Sequence, residues 1–367
     1  MNQYWIWFAN LKISPHIKQR LLAHFSDVYQ IYDARDSEYR EVVGMSSHAR
    51  EELAKKSLWE VKQILSTCEK QKIEIITYDD PKYPNLLREI AMPPYVLYVR
   101  GKFPNIDRVL GISIVGTRKA DRYGLNIAHQ FAEELTRAGA YVISGMAEGI
   151  DGAANSGALA AGGATLAVLG CGVDVLYPAI HARLMQEIIE HGAVVSEFPP
   201  GTQPLPGHFP VRNRIISGLA RGVLAIQVPI KSGARITMDF AMQQNRDLFV
   251  APGSIDSPLY TASNRLIQDG AKMVLQTSDI LEEYQTLFPN ITMNTGAWKK
   301  EKQISHTLSK EEQLILDAID VYELSADEII RKTQLDAQTV LAALTMLELQ
   351  GVISQDAGKR FRVKQEF

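Results

Sequence analysis

Between residues 111 and 253 the chain alternates short apolar runs with amphipathic stretches, and this alternation predicts its central architecture. GISIVG (111–116) is a strand candidate ending in Gly116, followed by a basic cluster and a helical pattern in which Ile127, Phe131 and Leu135 recur at spacing four. The unit then repeats. AYVISG leads to a helix over 149–161, LAVLGCG to a helix over 178–190, and AVVSE into a loop. GVLAIQVP precedes a helix over 233–245, and DLFVAPG follows. Continuous apolar runs of strand length, separated by helical patterns, are the signature of a parallel sheet covered on both faces. Six of them predict an α/β fold: an extended Rossmann-like, doubly wound, mostly parallel sheet. Its ligand edge is the carboxyl end of the strands.

The flanks have a different texture. Residues 1–72 read as a small N-terminal helical, SAM-like domain. Ile17, Leu21 and Leu22 share one helix face, and Leu53, Leu58, Val61 and Leu65 mark another. Over the next stretch Ile73, Ile75 and Ile76 suggest a strand, YPNLL a turn into a short helix, and VLYVRG a second strand. This lead-in extends the central sheet, so the Rossmann-like domain is expected over 73–288, with a further helix and strand at 261–275 and a closing helix at 279–288. Periodicity is lost over 289–307, a linker. Three short helices and a hairpin over 308–367 then predict a winged helix, with Ser325 capping the second helix and Glu328 three residues on. Its candidate recognition helix, 336–350, has two acidic residues and no Lys or Arg, which suits groove reading badly. The wing carries Lys359, Arg360, Arg362 and Lys364.

Composition narrows the class. With 46% hydrophobic and 22% charged residues the chain reads as soluble and globular. No apolar run approaches the roughly 18 residues of a membrane span. Lys12, Lys18 and Arg20 lie in the first thirty residues without an apolar core, so no signal peptide is expected. Two cysteines, Cys68 and Cys171, fit a reducing cytoplasm. A net charge of −3 excludes a generally basic coat, so any polyanion site must be a local patch.

Such a patch is visible in the loops. Gly116, Gly145, Gly170, Gly172 and Gly233 sit where a strand hands over to a helix or loop, and the helix N-termini there offer unpaired N–H groups to an anion. Tight turns need glycine whatever binds, but cations cluster at the same places: Arg118, Lys119 and Arg122; Arg212 and Arg214; Lys231 and Arg235. Over 111–253 both Lys plus Arg and Asp plus Glu count eleven, and seven of the eleven cations fall in or beside these three loops. Glu148, Asp151 and Asp174 make the patch mixed. The candidate phosphate ligands are Gly116, Thr117, Arg118, Lys119, Ser144, Gly145, Arg212, Asn213, Arg214, Lys231, Ser232, Gly233, Arg235 and Thr237. Arg212 and Arg214 are expected at the start of a helix, where the dipole favours anions. Ser232 also reads as a plain helix cap, and Phe209 as a base-stacking ring or a core plug.

Other chemistries find little support. There is no G-x-G-x-x-G at the first turn and no Walker lysine motif, so no nucleotide cofactor is expected. The eight histidines and two cysteines show no zinc spacing, and His16, His24 and His48 read as surface or boundary residues. Asp151, Asp174, Glu197 and Asp239 approach the ligand edge without a His or Cys to make a nucleophile–base set, so catalysis is not expected.

IVGTRKA, ISGMAEGIDGAANSGAL, GCGVDVLYP, SEFPPG, HFPVRNRIISGL, SGARIT and FVAPG, in this order, resemble the DNA-processing protein A (DprA/Smf) family from about residue 83 to 275. The resemblance implies an extended Rossmann fold that binds single-stranded DNA. It also implies a homodimer that hands incoming DNA to the RecA recombinase during natural transformation. Glu148 and Asn155 replace the usual arginine and histidine of the second loop, and Ala234 and Arg235 depart from the usual S-G-S-L-I-T. A competing reading is a nucleotide-processing enzyme similar to the phosphoribohydrolases. Their loop P-G-G-x-G-T-x-x-E requires a glutamate where this chain has Phe240 after Thr237.

Overall fold

The computed structural model describes residues 2–292, 309–319, 324–349, 352–355 and 360–363. The chain divides into two compact units, Met1–Gly296 and Ala297–Phe367. Most of the expected linker, from residue 293 on, lies outside the described residues.

Nine strands form the large sheet of the first unit: β1 (Glu74–Thr77), β2 (Val96–Gly101), β3 (Gly111–Gly116), β4 (Tyr141–Ser144), β5 (Thr165–Val168), β6 (Ala193–Ser196), β7 (Gly222–Ile226), β8 (Asp247–Val250) and β9 (Lys272–Met273). Their order is β1-β2-β6-β5-β4-β3-β7-β8-β9. All neighbours from β6 to β9 are parallel, whereas β1 and β2 pair antiparallel at one flank, as a lead-in extending the sheet. The α/β, mostly parallel architecture is as expected. The chain builds outward from β3 to β6 and then returns to place β7 on the other side of β3, so the topological switch lies between β3 and β7.

Both faces of the sheet are covered, which is why its strands read as unbroken apolar runs. On one face the helix Arg122–Arg137 buries Ile127, Phe131 and Leu135 with Ile112, Ile114 and Val142. On the other, Ile215, Ile216 and Leu219 of the helix His208–Leu219 pack with Met238, Val223 and Val250.

The N-terminal helices are Asn2–Asn10, Pro15–His24, Val28–Asp33, Asp36–Tyr39, Ser47–Ala54 and Trp59–Gln71. Leu53 and Leu58 do not share a helix with Val61 and Leu65 as expected. The helix Ser47–Ala54 stops at Lys55, and Leu58 is the residue before the next helix. Trp5, Phe8 and Leu21 belong to one buried cluster with Tyr95, Tyr98 and Val194, so this helical layer and the sheet share a core.

In the second unit the helices Lys310–Ile319, Ala326–Thr333 and Ala337–Leu349 enclose Ile315, Ile329, Val340, Leu344 and Leu347. They adjoin an antiparallel sheet of β10 (Leu324–Ser325), β12 (Arg360–Val363) and β11 (Ile353–Gln355), a winged-helix arrangement. Ser325 and Glu328 form the expected capping box. Arg360 pairs with Glu328 at 2.9 Å; Lys359, Lys364 and the Arg362 side chain lie outside the described residues.

One buried cation ties helix to helix. Lys18 Nζ donates to the Ala9 carbonyl at 2.7 Å, at the C-terminal end of the first helix, and stands over the Phe8 and Tyr95 rings. Burial pulls its ammonium from its ordinary 10.5 down to about 8, against the opposing pull of Glu197. Between these values the unfolded chain binds a proton that the folded chain has released, so this residue's contribution to stability rises with pH there. Relative to Lys18→Met, the parent should gain stability between about pH 8 and about pH 10.5, by no more than about 1.4 kcal/mol per pH unit. Denaturant titrations of both proteins across that window measure it; a pH-independent difference would contradict a titrating buried ammonium.

Candidate functional site

The carboxyl ends of β3, β4, β5 and β7 meet along one edge, where glycine permits contacts that a side chain would block. A Cβ on Gly116 would stand 2.0 Å from the Ile226 carbonyl oxygen. One on Gly145 would stand 2.5 Å from the Asp151 carboxylate and 2.7 Å from both terminal nitrogens of Arg212.

The loop after β3 is fixed across the switch point. Thr117 N–H donates to the Gln227 carbonyl at 3.0 Å. Gln227 has φ +50°, and its amide donates to Asp121 at 2.6 Å and to the Tyr260 hydroxyl at 3.0 Å, while its oxygen accepts from Asp121 N–H at 3.2 Å. Asp121 in turn caps the helix Arg122–Arg137 by accepting from Gly124 N–H at 2.8 Å. Gln227, Asp121 and Tyr260 carry no motif that marks them in the sequence. They are the clamp that positions Arg118 and Lys119.

Those two side chains are exposed. The Arg118 guanidinium lies 4.9 Å from the centroid of the half-buried Phe209 ring, which packs 5.3 Å from Tyr177. Phe209 is therefore neither a core plug nor a free ring, but the floor beneath Arg118. Lys231 is also exposed. Among the described residues no carboxylate forms an ion pair with Arg118, Lys119 or Lys231.

Arg212 and Arg214 are placed differently from the expectation. Their helix, His208–Leu219, begins four residues before Arg212, with Pro210 tolerated in its first turn, so neither arginine stands among the free N–H groups. Arg212 is 3% exposed. Its Nη1 donates to the Gly145 carbonyl at 2.9 Å and to that of Val168, and its Nε to Asn213 at 3.2 Å. Burial lowers the guanidinium to about 10, with Asp151 pulling it up and Arg118 pulling it down. The same burial raises the Asp151 carboxyl, against Arg212, Arg118 and the N–H groups of Gly145 and Ala147. Arg214 makes a two-pronged pair with Glu197 at 2.9 and 2.6 Å, both side chains largely buried.

The remaining candidates divide in the same way. Asn213 donates to the Gly233 carbonyl at 3.1 Å, tying this helix to the loop after β7. Ser232 caps the helix Gly233–Gln243, accepting from Arg235 N–H at 3.3 Å, and Arg235 pairs with Asp239 at 3.0 Å in partial solvent contact. Thr237 is buried, and the buried Ser144 hydroxyl donates to the Ile114 carbonyl at 2.7 Å. Thr117 Oγ1 accepts from Lys119 N–H at 3.2 Å. Glu148 is exposed, whereas Asn155 is fully buried and donates to Thr165 at 2.8 Å, inside the fold rather than at the ligand edge. Asp174 accepts from Gly201 N–H at 2.8 Å. Among the described residues no group of three or more His, Cys, Asp or Glu is placed to hold a metal ion, and no helix is long and apolar enough to cross a membrane.

A sheet edge of glycine turns, with a clamped basic loop over an aromatic ring, sits within residues 74–285, which match the family model for DNA recombination-mediator protein A. The chain belongs to that family. The model for the DprA winged helix domain matches residues 299–359. Protein Smf of Synechocystis is 33% identical over 98% of each chain. DNA processing protein DprA of Streptococcus pneumoniae is 40% identical over 59% of this chain and 76% of its own. The solved structure of DprA from S. pneumoniae superposes with a TM-score of 0.67 at 32% identity, covering 77% of this chain and 98% of that one. The Helicobacter pylori DprA, solved for its single-stranded DNA binding mode, superposes with a TM-score of 0.53 at 28% identity, covering 60% of this chain and 98% of that one.

Within this family fold the Arg214–Glu197 pair is structural in its contacts. Arg214→Ala leaves a buried carboxylate without its partner, so it should cost about 3–5 kcal/mol of stability. The double substitution Arg214→Ala, Glu197→Ala should cost less than the single one. Denaturant unfolding of the single and double variants checks both.

Proposed function

We propose that this chain binds single-stranded DNA along the carboxyl edge of its sheet and, as a homodimer, passes it to the RecA recombinase during natural transformation, in the cytoplasm and without a catalytic step. The observation that carries the reading is the loop of Arg118 and Lys119. Exposed cations without carboxylate partners are clamped beside glycine turns, above an aromatic ring. Held cations cost little to bring to a phosphate, and the Phe209 ring beneath Arg118 holds its guanidinium in place. The single-stranded DNA binding mode of the H. pylori relative supports the same ligand.

In this reading phosphates are met by Arg118, Lys119, Lys231 and Arg235 together with backbone N–H groups at Ser232 and Gly233, while Gly116, Thr117 and Gly145 shape the turns that carry them. Arg212, Asn213, Arg214, Ser144 and Thr237 act by holding the loops. RecA loading and dimerisation rest on family membership, and are tested by RecA filament assembly on protein-coated strands and by the mass of the particle in solution.

Arg118→Ala tests the DNA path. It should leave the melting temperature unchanged, since the side chain is exposed. Single-strand affinity should fall about tenfold or more, and the slope of log K against log salt should flatten by about 0.7. Parent-like affinity with an unchanged slope would move the path off the first glycine turn. A chain ending at Gly296 should lose less than about tenfold in affinity, or about 1.4 kcal/mol, measured by the same titration.

A further inference from the structure

The connection from β1 to β2, residues 78–95, stands at the same sheet edge as the glycine turns. Tyr98 of β2 lies opposite Ser196 at the carboxyl end of β6, and Val96 lies opposite Thr77 at the end of β1. The antiparallel flank therefore returns its loop to the ligand side. There an open cavity of about 300 Å³ separates this loop from the helix Pro15–His24, lined by Gln19, Leu22, Ala23, Tyr78, Arg88 and Tyr95 with Ile90 and Pro93.

Its chemistry is aromatic and donor-rich. Tyr78 and Tyr95 ring centroids are 5.8 Å apart at 63°. The Arg88 guanidinium lies 5.5 Å from the rings of both Tyr78 and Tyr83. Its Nη2 donates to the Tyr78 carbonyl at 3.2 Å and its Nη1 reaches Asn85 at 3.4 Å, while its buried Nε has no hydrogen-bond partner. The guanidinium thus gives the cavity a planar, cationic wall beside the Tyr78 ring. Asp79, Asp80 and Glu89 in the same connection make the surroundings unfavourable for a bare phosphate, whereas a neutral, planar, acceptor-bearing ring fits both the tyrosines and the arginine.

We propose that this cavity is a second subsite of the DNA track and takes a nucleobase of the strand that leaves the glycine turns. The proposal rests on the single-stranded DNA reading above. β2 is two strand spacings from β5 and four from β3, or about 10–19 Å across the sheet. A stacked strand covers that with about three to six nucleotides at roughly 3.4 Å each.

The test is equilibrium binding of labelled oligothymidylates, about three and about fifteen nucleotides long, to the full chain, the short one spanning roughly 7 Å at about 3.4 Å per step. The short one engages the glycine turns; the long one reaches both places. Ala23→Glu sets a carboxylate on the exposed rim of the cavity, and Arg88→Ala removes the donor. Both variants should bind the long oligomer about fivefold or more weakly than the parent, as the loss of one stacked base implies, and the short one within about twofold of it. Ala23→Glu should also melt with the parent. Long-oligomer affinity of Ala23→Glu within about twofold of the parent would overturn the subsite. An equal loss on both lengths would also overturn it, because the carboxylate would then be acting on the whole edge. A parent that binds neither oligomer would instead remove the single-stranded DNA reading, and the subsite with it.

Discussion

The guanidinium of Arg212 is the contact on which the ligand edge depends. It lies beneath Gly145 and gives hydrogen bonds to the carbonyls of Gly145 and Val168, just past β4 and at the end of β5. Carbonyls ending parallel strands in a covered sheet have no further ladder to join, and an unpaired buried one costs about 1–3 kcal/mol. Placing a cation there satisfies two of them. The cation must itself be compensated, and Asp151, held by the N–H groups of Gly145 and Ala147, supplies the opposite charge. Glycine at 145 follows from the same crowding, since a Cβ would intrude on both charged groups.

From that internal arrangement the outer surface follows. Arg212 and Arg214 spend their donors inside, on carbonyls and on Glu197, and so fix the ends of β4 and β5 and the loop after β6. Gln227, held in a left-handed backbone conformation, does the same for the first turn from across the switch point. The cations left facing solvent, Arg118, Lys119 and Lys231, stand on loops that cannot relax away. The proposed function uses this division: one set of arginines makes the frame, and the other meets the ligand.

The sheet was legible in the sequence because strands buried on both faces leave unbroken apolar runs, and the helix Arg122–Arg137 because Ile127, Phe131 and Leu135 repeat along one face. The roles of the arginines were not. In VRNR the two arginines look alike and helix-initiating, yet their partners lie at Gly145, Val168 and Glu197, far away in sequence, and the helix starts earlier, at His208. Gln227 carries no signal because its importance lies in a backbone angle and in distant partners. The core shared by Trp5, Phe8, Tyr95 and Tyr98 was equally hidden, since aromatic packing between distant segments has no periodicity.

In the proposed function the edge meets a flexible polyanion. The most direct measurement is the affinity of the full chain for single-stranded and double-stranded DNA of equal length, across a series of salt concentrations. Much tighter binding to the single strand is expected, with log K falling against log salt at a slope near −3.5 if about five phosphates are neutralised. Equal affinity for the two forms, or binding indifferent to salt, would contradict it.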